Sequence, residues 1–426
     1  MSALHIVMLT NTFTPHVGGV ARSVSAFANE FRRQGHRVLV VAPEFEDAPQ
    51  LERDVVRVPA IQHFNGTDFS VPVPVPGILT PVLDDFAPDV VHTHHPFLLG
   101  DTALRIAAGR DIPVVFTHHT RYEQYTHYVP GDSPTLQRFV VELATGFANL
   151  CDAVIAPSET IHKLLLEDGV ETPVHVIPTG IDVERLARGD GSRMRAQCDI
   201  PADAFVVGHV GRLAPEKNLT FLIEAAAAFL QNHPQAHLLV AGVGPSLDHM
   251  QRVVDTAGLT GRFHHLGILQ AQELVDAYHA MDVFAFASQS ETQGLVIAEA
   301  MAAGVPVVAV DASGVREVLR DGHNGRMLAE EDLDAFTAAL EEVCGLKVEQ
   351  RSKLSEAALK TAEQFAMSRC AAQAIALYES LIDARASKKT IDDSPWDQAR
   401  RAIRREWEIW QNVAEAVRDS RKESGP

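Results

Sequence analysis

Short apolar runs rich in valine and isoleucine recur along this chain, separated by longer helical patterns. Ile6–Leu9, Val38–Ala42, Val90–Val91, Val114–Phe116, Ala153–Ala156 and Val174–Ile177 form a first series. These runs do not alternate with polar residues, as a strand with one wet face would. They predict parallel strands covered on both faces. Helical stretches such as Val20–Gln34 and Gly100–Gly109 lie between them. That is the βαβ pattern of a doubly wound sheet. The pattern then starts again, with strands at Phe205–Val210, His237–Ala241, Phe263–Leu266, Val283–Ala287 and Val305–Val310 and helices at Leu219–Phe229, Ala271–His279 and Leu295–Ala303.

Two such series in 426 residues predict two α/β domains, each long enough to bury its own core. The expected division is 1–185 and 186–385, with Pro178–Arg195 as linker. The last helix of the second domain, about 362–384, is expected to cross back to the first. Asn65–Pro76 is Pro-rich and reads as a surface loop. Residues 386–426 form a tail. Its Trp396, Ala399, Ile403, Trp407, Trp410, Ala414 and Val417 fall at helical steps of three and four, beside Arg400, Arg401, Arg404 and Arg405. Three roles fit this tail: a helix docked on the protein itself, a membrane-surface contact through the 396–417 helix, or a partner interface.

Composition narrows the classes. A net charge of −19 excludes the basic footprint of a nucleic-acid-binding protein. The four cysteines are scattered with no C-x-x-C pair, so neither a zinc site nor a disulfide framework is expected. The N-terminus enters an apolar strand without a basic segment or a long apolar stretch, and no apolar run approaches 18 residues. A cytoplasmic protein, peripheral at the inner membrane face if it meets a membrane at all, is the expectation.

The chemistry is concentrated in Ser290-Glu291-Thr292-Gln293-Gly294-Leu295-Val296-Ile297-Ala298-Glu299-Ala300-Met301-Ala302-Ala303-Gly304-Val305-Pro306. Two glutamates stand eight residues apart just after a buried strand, and Gly294 opens a helix. Free backbone amides at such a helix start suit phosphate. Glu291 is placed to reach sugar hydroxyls, and Glu299 to accept hydrogen bonds from a ribose diol.

This block resembles the most specific motif of glycosyltransferase family 4, retaining enzymes of the GT-B fold. The similarity runs from about residue 4 to residue 383. It implies an α/β architecture of two Rossmann-like doubly wound domains facing a cleft, plus a C-terminal helical extension here. Other positions match in order. Gly211-Arg212-Leu213-Ala214-Pro215-Glu216-Lys217 matches the segment whose Arg and Lys hold the donor diphosphate. Two cations there neutralise charge that grows on the leaving group, so no metal is expected. Pro15-His16-Val17-Gly18-Gly19 matches the family's glycine-rich loop, with Gly19 the position carried over. Thr117-His118-His119-Thr120 places His119 toward the donor sugar, with His118 the spare. The implied catalytic set is His119, Glu291, Arg212 and Lys217. The donor set is Gly19, Arg212, Lys217, Gly294, Leu295, Val296, Glu299 and, packing on the base, Ile268. Gly242-Val243-Gly244-Pro245 is expected to line the nucleotide side. No cofactor beyond the nucleotide-sugar co-substrate is implied. No paired carboxylates suggest double displacement; front-face attack needs none.

Val91–Gly100 and His119–Tyr128 resemble the bacterial diacylglycerol α-glucosyltransferases of this family. That implies UDP-glucose as donor and a lipid acceptor, with Tyr122, Glu123 and Tyr125 on the acceptor side. The tyrosines equally suit partial core packing. Against a lipid acceptor, residues 1–185 hold about ten more acids than bases, which denies the first domain a broad cationic face. A GDP-mannose donor, a soluble saccharide acceptor, a UDP-sugar epimerase or hydrolase, and a binding module without turnover remain as alternatives.

Overall fold

The computed structural model describes residues 3–16, 18–49, 52–62, 71–72, 76–121, 133–288, 291, 293–387 and 395–420. The chain divides into two compact units, Met1–Gly180 with Met367–Pro426, and Ile181–Ala366.

The first unit runs β1 (His5–Leu9), α1 (Gly19–Arg33), β2 (Arg37–Pro43), β3 (Val55–Val58), β4 (Ala60–Ile61), β5 (Val71–Pro72), α2 (Pro76–Phe86), β6 (Val90–Thr93), α3 (Leu99–Arg110), β7 (Val114–Thr117), α4 (Pro134–Asn149), β8 (Ala153–Ala156), α5 (Glu159–Glu167) and β9 (Val174–Val176). The second holds α6 (Val183–Leu186), α7 (Gly191–Gln197), β10 (Phe205–Val210), α8 (Leu219–Asn232), β11 (Ala236–Ala241), α9 (Leu247–Thr256), β12 (Phe263–His265), α10 (Ala271–Ala280), β13 (Val283–Phe286), α11 (Leu295–Ala302), β14 (Val307–Val310), α12 (Ser313–Arg316), β15 (Gly325–Leu328), α13 (Leu333–Cys344) and α14 (Val348–Ala362). Then α15 (Met367–Ala386) and α16 (Pro395–Asp419) return to the first unit.

The first sheet has strand order β3-β2-β1-β6-β7-β8-β9, the second β12-β11-β10-β13-β14-β15, and every pair within them is parallel. The central strands are mostly apolar because both faces are covered. Ile6 and Met8 pack with Phe27, Phe31 and Tyr378 on one side of the first sheet. Val7 and Leu9 pack with Leu104, Phe116 and Phe147 on the other. In the second sheet Val206 and Val210 face one core, and Phe205 and Val207 the other.

Three expectations are corrected. The stretch 178–195 carries α6 and α7 rather than a plain linker, and the chain passes between units at Gly180–Ile181. The segment 65–76 pairs Val71–Pro72 antiparallel with Ala60–Ile61 and starts α2 at Pro76; residues 65–70 and 73–75 lie outside the described residues. Strands β3 and β15 add to the two series; each lies at a sheet edge, where partial exposure admits Arg57 and Arg326 into the run.

Helix α15 joins the first unit because its small residues Cys370, Ala371 and Ala374 let it approach closely, and because Tyr378 is fully buried there. The Tyr378 hydroxyl bonds His92 Nδ1 at 2.7 Å, and His92 Nε2 meets Thr117 Oγ1 at 2.7 Å. Among the described residues no helix is long and apolar enough to cross a membrane.

Candidate active site

In an open parallel sheet, ligands bind beyond the carboxyl ends of strands where the strand order reverses. In the second unit that point lies between β10 and β13. The loop after β10 carries Arg212 and Lys217, and the loop after β13 carries Glu291. The fold thus brings Lys217 and Glu291 together: Lys217 Nζ donates to Glu291 Oε1, and both side chains are 19% exposed. Ser288 Oγ donates to the same carboxylate oxygen at 3.0 Å, and Ser313 Oγ to the Glu291 carbonyl at 3.0 Å. Gly314 lies against Glu291 so closely that a Cβ there would sit 2.6 Å from Glu291 Cβ and 2.7 Å from its carbonyl oxygen.

Gly294 adopts φ +67 and caps α11 without any side-chain bond. Its conformation favours glycine. The first intrahelical bond is Ile297 N to Gly294 O at 2.9 Å. The amides of Leu295 and Val296 precede that bond and point from the helix start, where an anion is favoured. Glu299 lies one turn further in, 7% exposed, and its Oε2 accepts the Tyr278 hydroxyl at 2.7 Å.

Arg212 is held by its own loop. Its guanidinium bonds Glu216 one turn on and is 53% exposed. Gly242 and Gly244 bring the next loop onto the one carrying Arg212. Their φ values are +141 and +154, and a Cβ on Gly244 would lie 2.6 Å from the Leu213 carbonyl carbon. The pair therefore shapes the Arg212 loop. Ile268 is 64% exposed.

In the first unit the strand order reverses between β1 and β6. Gly19 opens α1; Gly18 caps it without a side-chain bond, and a Cβ on Gly19 would meet nothing within 4 Å. The start of α1 therefore has no side-chain cap from Gly18. His119 follows β7. Its Nε2 bonds His94 Nδ1 at 2.9 Å, and the rings stack at 5.1 Å. Burial, with His95, His92 and His118 around it, holds His119 well below the usual histidine range, so the ring is neutral near pH 7. His118 is buried edge-on to Phe116, and burial beside Arg121 pushes it down to about 4. Tyr122, Glu123 and Tyr125 lie outside the described residues.

The residues that sequence reasoning missed are Ser288, Ser313, Gly314, Tyr278 and His209. His209 is buried against Phe284 and Phe286, pushed down to about 4 by burial, and its Nε2 has no hydrogen-bond partner among the described residues. Lys217 and Glu291 are the charges it senses. Sequence shows these residues only as small or apolar-flanked positions; the neighbouring of β13 with β10 and β14 reveals them. Among the described residues no three His, Cys, Asp or Glu are grouped to hold a metal ion.

Known proteins with the same pattern decide the family. Residues 17–185 match the model for Glycosyltransferase Family 4, and residues 191–361 the model for Glycosyl transferases group 1. The chain belongs to glycosyltransferase family 4. Among relatives of this glycosyltransferase, the alpha-monoglucosyldiacylglycerol synthase of Streptococcus pneumoniae is 30% identical over 72% of this chain and 71% of its own. The GDP-mannose-dependent alpha-mannosyltransferase of Mycobacterium tuberculosis is 32% identical over 77% of this chain and 84% of its own. The fold is similar to that of Anabaena HepE, solved in complex with UDP and glucose, at TM-score 0.68 and 23% identity, covering 88% of this chain and 99% of that one. The two parallel-sheet units are thus the two Rossmann-like domains of the GT-B class, and the enzyme uses a nucleotide-sugar.

Proposed function

We propose that the enzyme transfers glucose from UDP-glucose, with retention, to a lipid acceptor such as diacylglycerol. The observation that carries the donor half is the Lys217–Glu291 pair beside the uncapped start of α11. The diphosphate rests on the Leu295 and Val296 amides, with Lys217 and Arg212 neutralising the charge that grows as it leaves. No metal is then needed. Glu291 holds sugar hydroxyls, Glu299 holds the ribose, and Ile268 packs on the base. The family resemblance assigns Gly19 to the phosphates and His119 to the sugar. The C1–phosphate bond breaks while the acceptor oxygen bonds C1 on the same face. The departing phosphate oxygen takes the acceptor proton. Tyr122, Glu123 and Tyr125 belong to the acceptor side.

Relatives named for making monoglucosyldiacylglycerol support the lipid acceptor, and the alpha in their names supports retention. A lipid acceptor makes the enzyme a peripheral protein of the cytoplasmic membrane face. A GDP-mannose donor is the second reading, supported by the mannosyltransferase relatives. The test is purified protein with labelled UDP-glucose and vesicles containing diacylglycerol. Labelled glycolipid is expected. Release of glucose or UDP without glycolipid discards the acceptor, and no product at all discards the donor in favour of GDP-mannose.

A further inference from the structure

Helix α16 docks on α3 and α4 of its own unit, but with the face opposite to the tryptophans. Ile409 and Ala416 are buried in that contact, and Asn412 Nδ2 donates to the Leu143 carbonyl at 3.1 Å. Gly146 permits the approach: a Cβ there would collide with the Asn412 side chain. The four arginines that are adjacent in sequence separate in space. Arg401 Nε donates to the Ala108 carbonyl at 3.2 Å, and Arg405 donates to the Leu150 carbonyl at 2.8 Å. These carbonyls end α3 and α4, where a cation is favoured. Arg400 and Arg404 point outward and are exposed.

The apolar face remains uncovered. Ala399, Ile403, Trp407, Trp410, Ala414 and Val417 are all exposed, with Ile403 and Trp407 at 71% and Trp410 at 67%. Their steps of three and four make one stripe along the helix. Such a continuous apolar surface marks a site of contact. One border of the stripe carries exposed Arg400, Arg404 and Arg418. The acids on that side are Asp397, Glu408, Glu415 and Asp419; Glu408 is paired with Arg405 at 3.3 Å and Asp419 with Arg418 at 3.1 Å. Tryptophan beside arginine suits a water–lipid boundary, where the ring is half-wet and guanidinium meets phosphate.

We propose that α16 seats the enzyme on an anionic lipid bilayer, with Ile403, Trp407 and Trp410 in the acyl boundary and Arg400 and Arg404 on headgroup phosphates. The chain's charge of −19 repels such a surface at long range, so attachment depends on this local contact. The proposal goes beyond the transfer reaction and holds for any acceptor.

All three tryptophans of the protein lie in α16, so selectively excited tryptophan fluorescence reports on this helix alone. The full chain is mixed, without donor or acceptor, with vesicles of phosphatidylcholine alone or with added phosphatidylglycerol. Co-sedimentation and a blue-shifted emission are expected with phosphatidylglycerol. The exposed double variant Trp407→Ser/Trp410→Ser should weaken partitioning at least tenfold, and Arg400→Gln/Arg404→Gln should remove most of the dependence on anionic lipid. Absence of binding, or binding unchanged in the tryptophan variant, overturns the proposal. So does a lipid-free, concentration-dependent dimer that the tryptophan variant dissolves, because a second copy then covers the face.

Discussion

Lys217 Nζ donates to Glu291 Oε1, joining residues 74 positions apart at the ends of adjacent strands β10 and β13. Each holds the other in place before substrate arrives. Lys217→Ala and Glu291→Ala should each lower kcat by about 10²- to 10³-fold, as loss of a charge-stabilising group does. The double variant should fall little further, because the pair acts as a unit. Initial rates with labelled nucleotide-sugar, beside thermal melts, check this. Near-native rates, or losses that multiply, contradict it.

Gly314, in α12 after β14, bears on the backbone and Cβ of the same glutamate. Gly314→Ala places a Cβ 2.6 Å from Glu291 Cβ, and overpacking of this kind costs about 1–3 kcal/mol. A drop in kcat of at least tenfold with a small fall in Tm is expected. A variant with native kcat shows that the Glu291 loop is not held by this contact.

Tyr278 orients Glu299. Tyr278→Phe removes a hydrogen bond to a carboxylate, worth about 1.5–3 kcal/mol, or roughly 10- to 150-fold in affinity. Calorimetric titration with UDP should show that weakening, with kcat changed much less. An unaltered Kd for UDP removes Glu299 from the ribose site.

Burial pushes His92 and His95 down to about 3, and His118 and His209 to about 4. The unfolded chain protonates these rings near pH 6.5, so folding expels protons below that pH. The stability they contribute is complete above about 6.5 and is lost as pH falls toward the folded values. Each ring then removes about 1.4 kcal/mol per pH unit. Urea unfolding at pH 7.5, 6 and 5 should show falling midpoints. A midpoint flat over that range contradicts the neutral buried histidines.

Much of the fold was legible because a parallel strand covered on both faces is apolar at most of its positions. That condition is local, and Ile6–Leu9 and Phe205–Val210 announce it. The edge strands Val55–Val58 and Gly325–Leu328 escape it, since partial exposure admits arginine. The glutamate block was legible because Gly294, which needs positive φ, directly precedes a helix in the loop that follows a buried strand. Helices α6 and α7 were hidden in a polar stretch whose burial is set by its neighbours, as with Met194 and α10.

The sequence by itself determined two α/β domains, a phosphate-suited helix start and an amphipathic tail. Each of these is a pattern within a few consecutive residues. Only the tertiary structure decided that Ser288, Ser313 and Gly314 surround Glu291, because strand order, which no local pattern encodes, makes β10, β13 and β14 neighbours. It also decided which face of α16 is covered. Hydrophobicity pointed to the tryptophan face, but the carbonyls ending α3 and α4 bind Arg401 and Arg405 and leave Trp407 and Trp410 outside.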